Sequence, residues 1–418
     1  MKQSENGNLP DAGTQELHDM DFQIPVEFEE NLRRYKEFLY ERLTPDLNKW
    51  YAQKEIPRDF FRELGDRDWL GLDRDGSGYV EQQTLKQALM EEHLGIASPG
   101  IGVAVLAHVS LGIKGITLFG SPDQKRLYLP PAARGQTLIC VGNTEPGAGS
   151  DVAGITSTAE KVDGGWLLNG TKSYVTNGYI SDLAIVTAIS DPDALRNSRI
   201  SMFLVDLSSK GVSRSKLHKE VWVPSDLTRI QLSDVFVPEA NLVGRRGRGL
   251  QQILEIFTNS RITISALTLG TAEGAFLSGV EHAKKRRIFG KRVIDMQAKS
   301  FEVADFYCKI EAARLMLWKT CWKKDRGLDF RLEASMAKYL SVELARAVGQ
   351  WAADLFGAAS VVFEHPIHKY PMDAWASSLG EGTQDVQKLI IFREFMKLEQ
   401  EAGSEEQGAG VGRTGAPG

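Results

Sequence analysis

The chain has 418 residues, a formal net charge of −5, 42% hydrophobic residues and three cysteines. That length allows two or three packed units, and the mildly acidic balance excludes a broad basic surface for nucleic acid. Cys140, Cys308 and Cys321 form no CxxC pair, which excludes a disulfide framework and the common metal-ligand spacings.

In chain order, residues 1–20 read as a disordered lead. The polar, acidic stretch from Met1 to Asp21 is unlike a signal or transit peptide, so the expected location is cytoplasmic. From Pro25 to about Gly135 the pattern is helical: Phe28, Leu32 and Tyr35 open an amphipathic stripe, and Phe60, Leu64 and Leu70 continue it. No apolar run approaches ~20 residues, so no membrane span is expected. Asp73 to Gly78 imitates the start of a calcium-binding EF-hand loop. Position 12 of that loop is Thr84, where a bidentate glutamate is needed, so a polar turn between helices is the better reading.

The period then changes. Thr144-Glu145-Pro146-Gly147-Ala148-Gly149-Ser150-Asp151 combines a turn-fixing proline, two glycines and hydroxyls at both ends. Such a loop can wrap amides and hydroxyls around a charged cofactor. It is not a dinucleotide-binding fingerprint, because the glycine spacing differs and no βαβ unit surrounds it. Trp166-Leu167-Leu168, then Asn169-Gly170, then Tyr174-Val175-Thr176 predicts a hairpin turning at Asn169-Gly170. Residues 184–186, 202–205 and 230–237 read as further strands. After Gly249 the pattern is helical again, with Met336, Leu340, Leu344 and Val348 as a packing stripe at i+4. Residues 401–418, rich in glycine and glutamate, read as a disordered tail.

The helical–β–helical order, opened in its middle by Thr144–Asp151, resembles the acyl-CoA dehydrogenase family of flavoproteins. Three more blocks fit that pattern in order: Asn169-Gly170-Thr171-Lys172 running into Tyr174–Gly178, then Arg286–Lys291 with Gln297, then Gly380-Glu381-Gly382-Thr383. The resemblance covers roughly residues 25–400. It implies a mostly α fold with a central β domain: a helical domain over 21–138, a middle β-barrel or sandwich over 139–245, and a four-helix bundle over 246–400. It further implies FAD as cofactor and α,β-dehydrogenation of an acyl-CoA to a trans-2-enoyl-CoA.

The resemblance makes Glu381 the base for the Cα proton, with flavin N5 taking the Cβ hydride. The backbone amide of Glu381 would help to hold the thioester carbonyl. Some family members carry the base on an earlier helix, at the place of Ser260, and serine cannot serve. The flavin contacts implied are Val141, Thr144, Gly149, Ser150, Tyr174, Val175, Thr176 and Thr383. Arg286, Phe289, Gln297 and Gly357 would reach the adenine-diphosphate part of an FAD in a neighbouring subunit. Ser150, Arg261 and Gly382 would meet the substrate, Arg261 at the nucleotide end of CoA. No metal is implied. The implied partners are an electron-transfer flavoprotein as acceptor and further copies of the chain in a homotetramer, within fatty acid metabolism.

Two departures stand out. Asp354 replaces a glutamine in the block Asp354–Ala358, and a carboxylate beside a diphosphate is repulsive. Gly380 replaces the aromatic that straight-chain members place before the base, and only Asp373-Ala374 remains of an Arg-Asp-Ala run. The first puts FAD contacts from Asp354 in doubt; the second points to a pocket unlike that of ordinary fatty-acid oxidation. Other readings stay open on the residues alone: a dehydrogenase of acyl groups on a carrier protein, an oxidase, and a scaffold that binds acyl thioesters without turnover.

Overall fold

The computed structural model describes residues 24–411 except 44, 76–77 and 363–365. The lead expected over 1–20 and the last residues of the expected tail lie outside these. Helices α1 (Val26–Leu43), α2 (Leu47–Gln53) and α3 (Arg58–Gly65) come first. Phe28, Leu32, Tyr35, Phe60, Leu64 and Leu70 are buried, so the expected stripe does face the core. A short hairpin, β1 (Leu72–Asp75) with β2 (Gly78–Glu81), then interrupts the helical run. It stands where a turn between helices was expected. Its Asp73 carboxylate is taken by Lys86 at 2.7 Å and Gln82 at 2.9 Å.

Helix α4 (Thr84–Ala97) and helix α5 (Pro99–Phe119) follow, the latter containing a π-helical segment at Ala107–Ile113. By length and composition α5 could cross a membrane, contrary to the expectation that no stretch could. Most of it is buried inside the fold, as in the core helix of a folded protein. The π segment places His108 between α6 (Pro122–Ala133) and the start of β3 (Ile139–Gly142). The Ile139 amide donates to His108 Nδ1 at 3.1 Å, so Nε2 carries the proton and donates to the Ala132 carbonyl at 3.0 Å. Burial pulls this imidazole down to about 4, which keeps it neutral in that role.

Strands β4 (Thr158–Val162), β5 (Gly165–Thr176), β6 (Leu183–Ile189), β7 (Ile200–Asp206), β8 (Val212–Lys216), β9 (Leu227–Pro238) and β10 (Leu242–Val243) form one sheet with β3. Its order is β10-β7-β6-β4-β5-β9-β8, with β3 parallel to β6. Ile185, Met202 and Leu204 face the helices, while Ala184, Val186, Phe203 and Val205 fill the core of the sheet domain. Burial on both faces explains the near-continuous apolar run of these strands.

The predicted hairpin at Asn169-Gly170 is not formed. Both residues lie inside β5, and the chain turns earlier, at Asp163-Gly164, where Val162 pairs with Gly165. Gly170 has φ +147°, and a Cβ there would stand 2.1 Å from Ser157 Oγ. Asn169 exchanges two hydrogen bonds with Asp234 across a register shift against β9. The dipeptide thus marks a bulge with close backbone approach.

Helix α7 (Gly249–Lys285), the small hairpin β11 (Arg287–Ile288)/β12 (Lys291–Arg292), and helices α8 (Gln297–Asp325), α9 (Arg331–Phe356), α10 (Lys369–Ala376) and α11 (Gln384–Val411) complete the fold. The boundary expected at 400 falls inside α11, which runs on to Val411 in place of a tail. The stripe expected on α9 is also displaced. Leu344 and Val348 are buried, but Leu340 is exposed, and Ala334, Ala337, Ser341 and Ala345 carry the packed face. Strict i+4 spacing drifts around a helix of 3.6 residues per turn, and small side chains allow α9 to lie close to α7.

Candidate active site

The loop after β3 is tied down from below. Glu145 and Ala148 exchange backbone hydrogen bonds of 3.0 and 3.1 Å, closing a tight turn over Pro146-Gly147. The Glu145 carboxylate is buried and accepts from the Thr156 amide and hydroxyl, both at 2.7 Å, and from the Ser157 amide at 3.0 Å. Its counter-charge is Lys172, wholly buried on β5, at 2.6 Å. Burial pushes the Glu145 carboxyl up, but Lys172 and these donors outweigh it and hold the group at about 2. Glu145 is therefore a fixed anion, spent on shaping its loop.

Above this anchor the loop is open. A Cβ added at Gly147 or Gly149 would meet nothing within 4 Å. The Ser173 amide donates to the Thr144 carbonyl at 2.8 Å, which fastens the loop to the end of β5. Tyr174 has φ +57° at a second register shift, between Lys172 and Val175, and its ring is exposed. Bulges of this kind turn a side chain away from its ladder position. Val175 is buried beneath it, Thr176 and Val141 are half-buried, and Ser150 is exposed. The structure thus gathers Val141, Thr144, Gly149, Ser150, Tyr174, Val175 and Thr176 at one sheet end.

A second group gathers where α7 ends. Arg286 donates to the Leu355 and Phe356 carbonyls, each at 3.2 Å, and lies 3.8 Å from the Cβ position of Gly357. Gly357 has φ +60°. Asp354 accepts from Gln350 at 2.8 Å, one turn earlier on its own helix, and Arg286 takes the neighbouring carbonyls. Phe289 and Gly290 form the turn between β11 and β12, with φ +49° and +79°. The Phe289 ring is 97% exposed, and Gln297 is an exposed first residue of α8.

The third group surrounds Glu381, in the link between α10 and α11. Glu381 and Gly382 have φ +50° and +93°, two successive left-handed residues. For a glutamate this conformation persists only where neighbours impose it. Gln387 Nε2 donates to the Glu381 carbonyl at 3.0 Å and to the Gly382 carbonyl at 2.9 Å. Arg261 Nε donates to the Glu381 carbonyl at 3.2 Å. Lys338 Nζ donates to the Gly380 carbonyl at 2.6 Å and also to that of Gly382. Thr383 Oγ1 accepts the Val386 amide at 3.4 Å, at the entry to α11.

Burial raises the Glu381 carboxyl above the ordinary glutamate value, against the opposing pull of Lys338 and Arg261. A carboxylate with raised proton affinity suits a general base. Ser260, buried on α7, donates to the Phe257 carbonyl of its own helix at 3.2 Å.

Arg261, which the resemblance implies at the nucleotide end of CoA, is 6% exposed and donates to the backbone of Glu381. Burial draws its guanidinium down to about 10.

Models of the acyl-CoA dehydrogenase N-terminal, middle and C-terminal domains match residues 27–136, 140–235 and 247–396. The chain belongs to the acyl-CoA dehydrogenase family. It is similar to a probable acyl-CoA dehydrogenase, YngJ, of Bacillus subtilis, with 31% identity over 90% of this chain and 100% of that one. Among solved structures, butyryl-CoA dehydrogenase from Megasphaera elsdenii superposes with a TM-score of 0.86 at 29% identity, over 90% of this chain and 100% of that one. A structure described as the electron transferring flavoprotein of Acidaminococcus fermentans gives 0.87 at 29% identity, over 90% and 99%. As a member of the acyl-CoA dehydrogenase family the chain is an oxidoreductase, and its activity is FAD-dependent acyl-CoA dehydrogenation.

Sequence reasoning missed Lys172, Lys338 and Gln387 as supports of the acyl-CoA dehydrogenase site. One signal for Lys338 was present: a lysine between Ala337 and Ser341, on a helix face otherwise made of small residues.

Proposed function

We propose that Glu381 is the base that takes the Cα proton of an acyl-CoA thioester, giving a trans-2-enoyl-CoA. The observation carrying this is the Glu381 backbone, fixed in a left-handed conformation by three buried side chains, with its carboxyl raised by burial. The amide of Glu381 is directed by the same clamp and would hold the thioester carbonyl as charge develops there. Gly382 keeps a side chain away from that carbonyl, and Ser150 closes the sheet side of the substrate. The open top of the 144–151 loop and the exposed Tyr174 ring fit a flat, polar cofactor. FAD, when bound, supplies the acceptor for the Cβ hydride.

Val141, Thr144, Gly149, Ser150, Tyr174, Val175, Thr176 and Thr383 would hold the flavin half. Arg286, Phe289, Gln297 and Gly357 would hold the adenine-diphosphate half contributed from a second copy, and the exposed Phe289 ring supports this. A homotetramer in the cytoplasm, an electron-transfer flavoprotein as acceptor and a role in fatty acid metabolism complete the proposal. A Cβ at Gly380 would meet nothing within 4 Å. That open space beside Glu381 supports acyl groups bulkier near Cα than a straight chain. The test is anaerobic titration of the yellow enzyme with straight, branched, aromatic and dicarboxylic acyl-CoAs. Bleaching by at least one, fastest for the bulkier groups, is expected; no bleaching by any of them contradicts the proposal.

A further inference from the structure

Lys338 is fully buried on α9, and a lysine is rarely placed so without a task. It donates to two carbonyls that are not adjacent, Gly380 and Gly382, which bracket Glu381. An ammonium presents its donors around one point charge, so one group can grip both sides of a bend. The bend is the pair of left-handed residues Glu381 and Gly382. A neutral apolar side chain at 338 would leave both carbonyls without this donor. It would also remove a positive charge that faces the Glu381 carboxyl.

We propose that Lys338 is a positioning residue for Glu381, gripping the backbone on both sides of it and placing a positive charge opposite its carboxyl. This rests on the reading of Glu381 as the base. The charged groups facing Glu381 are Lys338 from α9 and Arg261 from α7. On α11 the nearby Asp385 pairs with Lys388 at 3.6 Å, and Glu343 of α9 accepts from Gln384 at 3.0 Å. Neither carboxylate offers the Glu381 carboxyl a positive partner, so loss of Lys338 leaves Arg261 as its cationic neighbour.

The test is the pH dependence of anaerobic flavin reduction by an acyl-CoA that bleaches the wild-type enzyme. It is measured on flavin-loaded wild type, K338M and K338Q. Opposite charge holds a carboxyl's pKa down, so removing it moves the rate midpoint upward in both variants, by about one pH unit or more. K338Q keeps two N–H donors for the carbonyls. At the plateau it is expected to retain most of the wild-type rate, while K338M falls at least about tenfold because the base is also misplaced. Midpoints that superimpose on wild type overturn the proposal, whatever the rates. Loss of flavin or fold in both variants also counts against it, since a purely structural lysine does the same. E381Q, run alongside, separates the two readings. Normal reduction in E381Q removes the base assignment itself; an inert E381Q with unshifted Lys338 variants removes only the role of Lys338.

Discussion

The anchor beneath the 144–151 loop predicts the cost of breaking it. In K172M the methionine fills most of the lysine volume but removes the charge opposite Glu145. Both side chains are sealed, at 0% and 4% exposed. Removing one partner of a buried ion pair costs about 3–5 kcal/mol, because the other charge stays buried. Glu145 keeps three donors from Thr156 and Ser157, so the lower figure applies, about 3 kcal/mol.

The sign of the pH dependence follows. Glu145 sits at about 2 in the fold against an ordinary 4.5, so its contribution is complete above 4.5 and fades as pH falls toward 2. In K172M the carboxyl binds a proton more readily, and protonation relieves the unpaired charge. The gap between wild type and variant is therefore widest at pH 7 and narrows toward pH 4. Equal-volume neutralisation in K172M/E145Q should recover about 1 kcal/mol or more at pH 7. Urea denaturation followed by circular dichroism at the two pH values measures all three proteins. A gap below about 0.5 kcal/mol at pH 7, the spread of ordinary surface substitutions, would refute the reasoning, as would one that stays constant with pH.

Two further outcomes follow from backbone and exposure. G170A sets a Cβ 2.1 Å from Ser157 Oγ at φ +147°, so a destabilisation of at least about 1–3 kcal/mol is expected; an unchanged melting temperature contradicts the bulge assignment. F289A removes a ring that is 97% exposed in one chain. The flavin-free chain should stay within about 0.5 kcal/mol of wild type, while flavin affinity, measured by fluorescence titration, falls at least about tenfold. Equal affinity would remove Phe289 from the cofactor site.

What the sequence made legible was local chemistry in fixed spacing. Thr144–Asp151 and Gly380–Thr383 mark their loops because proline, glycine and glutamate each constrain a few neighbouring residues. The strands at 184–186 and 202–205 show because both faces of the sheet are covered there, and 230–237 shows because buried Ile230, Leu232, Val235 and Val237 are interleaved with exposed residues. Asn169-Gly170 misled because the dipeptide is a turn signal only when the strands on each side pair with each other. Here both flanks pair with β9, and Asp163-Gly164 makes the turn.

The supports of Glu381 were illegible for another reason. Arg261 is separated from it by 120 residues and Lys338 lies on a different helix, so only the packing of α7 and α9 brings them to one bend.

The central claim is that Glu381 removes the Cα proton. Its most direct test is stopped-flow reduction of E381Q, loaded with FAD, by an acyl-CoA that bleaches the wild-type enzyme under anaerobic conditions. The variant should bind flavin and acyl-CoA as wild type does, yet its flavin should be reduced at least about a thousandfold more slowly, corresponding to ~4 kcal/mol of lost transition-state stabilisation. Reduction at the wild-type rate would contradict the claim and move the base elsewhere in the site.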